Sequence, residues 1–182
     1  MSGVRRGMVA GLVLLTLLVV APLAVRWLTR APADEPAVTV VDARGEERRV
    51  GLREMKRLPA HERQGEAQNQ YGNWRDGGVY TGALLLDILG TGPYETVEAV
   101  AEDGYRVTIE RARVEDEDYP MVLAYARDGA AVPAWEDGFR LVVLPEDGRV
   151  SNEEYQADSA GSFWVKNVAR LILHAPRPDD ES

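Results

Sequence analysis

The 182-residue chain contains no cysteine. That excludes disulfides, thiolate nucleophiles, zinc–thiolate sites and iron–sulfur clusters, and it leaves the redox compartment open. Histidine is nearly absent too: His61 and His174 are the only two, without the i, i+4 spacing of a helical metal site. Neither has an identifiable serine partner, which argues against a nucleophilic triad. Acidic residues are missing from positions 1–33, which carry Arg5, Arg6, Arg26 and Arg30. With those four set aside, 17 basic residues face 30 acidic ones from Asp34 onward, a net of −13 against −9 for the whole chain. A domain so acidic repels polyanions at long range, so nucleic acid is not an expected partner. An anionic ligand would need a local basic pocket.

What the sequence does have begins with a charge-free run. Residues Gly7–Val25 are nineteen in a row without a charge. At a helical rise of about 1.5 Å per residue they reach roughly 28 Å, close to the hydrocarbon thickness of a bilayer. Pro22 lies near the far end, where a lost hydrogen bond is tolerable, and Trp27 beside arginines has the character of an interfacial anchor. The alternative is a cleaved signal peptide ending at Ala31-Pro32-Ala33, and Arg5-Arg6 is a weak match to a twin-arginine export signal. The expectation is a membrane anchor over 1–30, transmembrane over 7–25, with the remainder on the extracytoplasmic side of the cell membrane. A polar linker, Ala31–Pro36, then leads to a domain over 37–174, and residues 175–182 form an acidic, disordered tail.

Within the domain no repeat is present. Val38–Asp42 alternates as a strand. Gly51–Leu58 reads as a short amphipathic helix stopped by Pro59. His61–Gln70 reads as an extended strand or loop, and Gly72–Gly78 as a turn-rich loop. Thr81–Leu89 starts like a helix, with Thr81 as its cap and Gly90 as its stop. Strand-like runs follow at Thr96–Ala101, Tyr105–Glu110, Met121–Tyr125, Arg140–Leu144 and Trp164–Leu173, with turns at Asp103-Gly104 and Asp128-Gly129. The pattern predicts an α+β domain, mixed and β-dominated, with Leu84, Leu85, Ile88, Leu141, Val143, Val165 and Leu171 in its core.

Chemistry is thinly written in this sequence. Glu115-Asp116-Glu117-Asp118 lacks calcium-loop spacing and reads as a solvated loop. Asp147-Gly148-Arg149 with Asn152, Glu153 and Glu154 reads as a turn. The richest stretch is Gln68–Gly78, which groups amides, aromatics, glycines and Arg75 as loops contacting polar ligands do. Its alternative reading is an Asn/Gly turn with Trp74 packed on the core.

Five blocks occur in order: Thr81–Leu89; Glu102-Asp103-Gly104-Tyr105; Leu123-Ala124-Tyr125 with Asp128-Gly129 and Val132-Pro133; Phe139–Val143; and Trp164-Val165-Lys166. Together they resemble the molybdopterin-binding domain of the sulfite oxidase family over residues 37–174. In catalytic members of that family a cysteine two residues before a Gly-Asn pair binds molybdenum. Here Gly72-Asn73 is preceded by Gln70, and an amide cannot replace a soft thiolate. Family members often carry Lys-Ser-Val-Lys near the C-terminus; this chain has Phe163-Trp164-Val165-Lys166, so only the last lysine remains. The resemblance implies that the loops around Gln68–Arg75 and Gly161–Lys166 converge and bring Gln70, Asn73, Arg75 and Lys166 to one ligand-binding cleft. The alternative is that Arg75 and Lys166 merely pair with surface acids such as Asp76.

Those departures remove cofactor contacts. The expectation is therefore a non-catalytic domain with no metal ligands and no cofactor, molybdopterin entering by resemblance only. Its partner would be a small polar or anionic ligand, or a protein beside the membrane. One alternative is a molybdenum cofactor-dependent oxidoreductase with an unusual ligand. Another is a structural accessory subunit of a membrane complex.

Overall fold

A computed structural model describes residues 35–176. The expected anchor over 1–30, its orientation and most of the acidic tail lie outside the described residues. Among the described residues no helix is long and apolar enough to cross a membrane.

Two sheets make the domain. The first orders its strands β2-β1-β11-β5-β6, from β1 (Ala37–Val41), β2 (Glu47–Gly51), β5 (Thr96–Ala101), β6 (Arg106–Glu110) and β11 (Val168–His174). β1 and β11 run parallel, and the remaining pairs are antiparallel. Alternation gives this sheet one wet face, where Arg170 meets Glu47 at 2.6 Å, and Arg106 and His174 meet Glu98 at 3.1 and 3.6 Å. The second sheet runs β10-β3-β4-β7-β8, from β3 (Ala60–Gln68), β4 (Trp74–Leu84), β7 (Met121–Arg127), β8 (Ala130–Ala131) and β10 (Arg149–Val150), with β9 (Arg140–Val143) also paired to β7. β9 is buried throughout and β7 along all but its last residue, which fits their near-continuous apolar sequences. Single-turn helices α1 (Leu52–Met55), α2 (Leu85–Leu89) and α3 (Arg111–Val114), with a 3₁₀ turn at Ala160–Phe163, fill the corners.

The predicted mixed, strand-dominated class is observed, and Leu85, Ile88, Leu141, Val143, Val165 and Leu171 are buried. Leu84 is half-buried against the core instead of inside it. Three element assignments are corrected. Gly72–Gly78 is largely strand, because Trp74–Leu84 forms one long β4 held by β3 on one side and β7 on the other. Thr81 therefore caps no helix: its hydroxyl bonds Glu62 at 2.8 Å, and the helix is only Leu85–Leu89. It stops at Gly90 (φ +78°), as expected. The last strand begins at Val168, not Trp164, because Asn167 adopts φ +49° and hands the chain from the 3₁₀ turn into the sheet.

Ile88 offers a mild probe of this packing. Ile88→Val removes one methylene from a site only 2% exposed, and should cost about 0.5–1.5 kcal/mol in denaturant unfolding. A neutral change would mean that α2 does not close the core.

Candidate functional site

The polar centre of the domain sits where β4, β9 and the loop after the 3₁₀ turn meet. In the β3–β4 ladder Gly65 pairs with Gly78 but Ala67 pairs with Arg75, so β4 carries an extra residue at this point. Such a bulge bends the strand and re-aims a side chain. Asp76 lies in it with φ +60°, and the Tyr80 hydroxyl donates to its carbonyl at 2.5 Å. The bulge delivers the Asp76 carboxylate to Arg140, the one charge in the apolar run Phe139–Leu144.

Arg140 is 1% exposed and bridges two carboxylates: its Nη2 is 2.8 Å from Asp76 Oδ2, and its Nη1 is 2.8 Å from Asp137 Oδ2. Lys166 Nζ closes the cluster at 3.2 Å from Asp137 and 3.9 Å from Asp76. Tyr80 and Trp164 flank the guanidinium, with ring centres 5.8 and 5.6 Å from its carbon. The Arg140 Nε and Trp164 Nε1 have no hydrogen-bond partner among the described residues. Burial pushes the Tyr80 hydroxyl up to about 12, against the lowering influence of Arg140 and Arg127, so it acts as a neutral donor.

Burial alone would raise the Asp76 carboxyl. The Arg140 hydrogen bond and the charges of Arg140, Lys166 and Arg127 outweigh it and hold the group below its ordinary value of 3.8. A carboxylate depressed in the folded state contributes stability that is complete above the unfolded pKa and lost as pH falls through the folded one. The melting temperature should therefore fall as pH drops below about 4. Asp76→Asn should be less stable at neutral pH and lose less in that acid window. An unchanged acid limb in Asp76→Asn would contradict the assignment.

The four residues singled out in the sequence have different places. Lys166 belongs to the buried cluster at its half-exposed rim. Arg75 is exposed and makes no ion pair among the described residues; its neighbour Asp76 takes the position in the cluster. Gln70 and Asn73 lie exposed at the tip of the β3–β4 hairpin. Asn69 ties that tip together, its Oδ1 accepting from Tyr71 N and Asn73 N, both at 3.0 Å, while Tyr71 is left 79% exposed. Trp74 is half-buried beneath Arg149, whose guanidinium carbon lies 4.1 Å from its ring centre.

The two loops do meet, through a residue read in the sequence only as part of a turn. Asn152 N donates to Gln68 Oε1 at 2.9 Å, Asn152 Nδ2 donates to the Asn69 carbonyl at 2.8 Å, and Ala160 N donates to Asn152 Oδ1 at 2.8 Å. Gly161 passes so near Gln68 that a Cβ there would lie 3.1 Å from its carbonyl oxygen. Asp137 was not picked out in the sequence, and Asn152 was read only as part of a turn. Asp76 was named only as a surface acid for Arg75 and Lys166 to pair with, a pairing that Lys166 makes at 3.9 Å and Arg75 does not. Arg140 was not picked out either, although it carried a signal, as a charge inside an apolar strand.

A separate cleft of about 510 Å³ is lined in part by Arg49, Glu102, Trp135, Glu136 and Asn167. None of Gln70, Asn73, Arg75 and Lys166 lines it.

The residues present do not fit a molybdenum–pterin centre. Gln70, which the sequence resemblance sets at the position of the metal-binding cysteine, is an amide at an exposed tip and offers no thiolate. Phe163 packs edge-on against Tyr155 with ring centres 5.2 Å apart, and Arg113 lies over both rings. Arg140 and Lys166 are matched one for one by Asp76 and Asp137, which leaves no net positive charge for a phosphate.

No protein-family model matches the chain, and no curated protein does. Among solved structures it is similar to the sulfane dehydrogenase SoxCD from Paracoccus pantotrophus, with a TM-score of 0.55 and 15% identity, over 83% of this chain and 41% of that one. The chain thus spans about two fifths of the length of its structural neighbour. At this identity the likeness shows a distantly shared, molybdopterin-oxidoreductase-like fold and transfers no residue role.

Proposed function

We propose that this chain is a membrane-anchored, extracytoplasmic binding domain built on an oxidoreductase-like fold and without its redox chemistry. The closed charge cluster carries this reading: the buried Arg140 and its neighbour Lys166 are already satisfied by carboxylates of the same chain. Binding then falls to the hairpin tip, where Gln70, Tyr71, Asn73 and Arg75 are exposed on a backbone pinned by Asn69. A preordered tip with a tyrosine and an arginine is suited to a polar ligand or a protein surface, because little freedom is lost on binding.

The test is metal analysis and an absorbance spectrum of the full-length protein, purified from its own membranes and assayed with sulfite. The expected result is no molybdenum and no sulfite oxidation. Gln70→Cys alone should create no activity, since Phe163 and the carboxylates of Asp76 and Asp137 remain. Stoichiometric molybdenum, with turnover lost on changing Lys166, would restore the oxidoreductase reading.

A further inference from the structure

We propose that β6 is a self-association edge, through which two copies of the domain pair antiparallel with Thr108 opposite Thr108 of the second copy. Among the described residues β6 ends the first sheet, with β5 as its one hydrogen-bonded strand neighbour. The phase of that pairing fixes which backbone groups are free. Ala101 N donates to Tyr105 O at 2.9 Å and Arg111 N to Glu95 O at 2.8 Å, so Tyr105, Val107, Ile109 and Arg111 turn their backbone groups toward β5. Both backbone groups of Arg106 and Thr108 and the N–H of Glu110 therefore face outward along the open edge, while the Glu110 carbonyl serves as the N-cap acceptor of α3.

The sequence of the strand, Arg-Val-Thr-Ile-Glu, is complementary to its own reverse. Pairing centred on Thr108 joins the two Thr108 residues as a hydrogen-bonded pair, lets Glu110 N–H donate to the Arg106 carbonyl of the other copy, and sets Arg106 opposite Glu110 twice, once on each side of the twofold axis. On the lower face Val107 meets Ile109 of the second copy, extending the side on which Ile109 is fully buried. Sliding the register by two residues loses both ion pairs. Arg106 also bonds Glu98 within its own chain at 3.1 Å, and a guanidinium has donors for both carboxylates.

The other edges lack this property. β8 and β10 are two residues long. β2 reads Glu-Arg-Arg-Val-Gly, and antiparallel self-pairing centred on either arginine sets Arg48 or Arg49 against its own copy. β6 also has no lysine or proline, and its pairing with β5 has no bulge, which are the usual devices that blunt an edge.

The absence of cysteine makes the test clean. In a hydrogen-bonded antiparallel pair the two Cα atoms lie about 5.5 Å apart, within the ~4.4–6.8 Å range of a disulfide. Full-length Thr108→Cys, oxidised with copper–phenanthroline in its native membranes, should form several-fold more covalent dimer than Thr91→Cys, an exposed control on another loop. In the Thr108→Cys background, Arg106→Glu or Glu110→Arg should each lower the yield, because each alone sets like charges opposite each other. Co-expression of the two should restore it, since their chains complement. The same charge arm can be read in the cysteine-free chain by sedimentation velocity in detergent, so a misfolded Thr108→Cys would not remove the test. Cross-linking no better than the Thr91→Cys control, or a mixture no better than either charge variant alone, would overturn the proposal.

Discussion

Arg140→Met should cost the domain about 3–5 kcal/mol, the range for removing one partner of a buried ion pair. Methionine keeps much of the volume and the apolar stem, so the loss comes chiefly from the two carboxylates left behind. Asp76 and Asp137 would keep Lys166, at 3.9 and 3.2 Å on a half-exposed side chain, as their one ion-pair partner among the described residues, with Arg127 adding a more distant charge at Asp76. The like charges of the two acids would then face each other across the vacated guanidinium. Adding Asp76→Asn and Asp137→Asn to Arg140→Met should recover part of the loss, because the penalty lies in uncompensated charge and not in missing contacts. Arg140→Lys should recover less than its charge implies, since one ammonium cannot reproduce a fork that reaches two carboxylates at 2.8 Å. Urea unfolding of the three variants beside the unaltered protein separates these contributions. If Arg140→Met cost less than about 1 kcal/mol, the cluster would behave as a surface pair, and the case for a closed, self-satisfied centre would fail.

That cluster shows where the sequence was legible and where it was not. Strand runs such as Thr96–Ala101 and Met121–Tyr125 were readable because burial imposes its pattern locally, on consecutive residues. The β-dominated class and most of the core followed from the same periodicity. Thr81–Leu84 misled because it runs straight into the leucines 84–86, which fit a helix turn as well as a strand, and pairing with β3 and β7 set the boundary at Leu84 from far along the chain. The site was harder still. Arg75 attracted attention as the cation of a polar stretch, but a one-residue bulge gave the inward position to its neighbour Asp76. No local pattern announces a bulge whose cause is the register of another strand. Lys166 and Asp76 could be named as a pair from the sequence, but Asp137, 29 positions from Lys166, and the buried Arg140 between the two acids were beyond local reasoning.

Gly82→Ala should be at least as damaging as Arg140→Met, by a different route. Gly82 faces β7 where the β4–β7 register shifts, and an added Cβ would sit 2.4 Å from the Leu123 carbonyl oxygen and 2.6 Å from the Ala124 Cα. Both are backbone atoms of a buried strand, so neither can rotate away. Relief requires moving β7 or β4, and β7 also holds β9, the strand that carries Arg140. Overpacking usually costs about 1–3 kcal/mol when side chains can adjust; with backbone on the far side of the clash, the expected loss is at or above the top of that range. Gly65→Ala supplies the comparison. Its Cβ would meet the Leu144 Cδ2 at 2.5 Å and the Trp164 ring at 3.1 Å, both side-chain atoms, and the leucine end can turn. The measurable expectation is an order, with Gly82→Ala losing folded protein at lower urea than Gly65→Ala. Equal midpoints would mean that β4 and β7 can separate without cost, and that the close approach does not fix the position of β9 and its arginine.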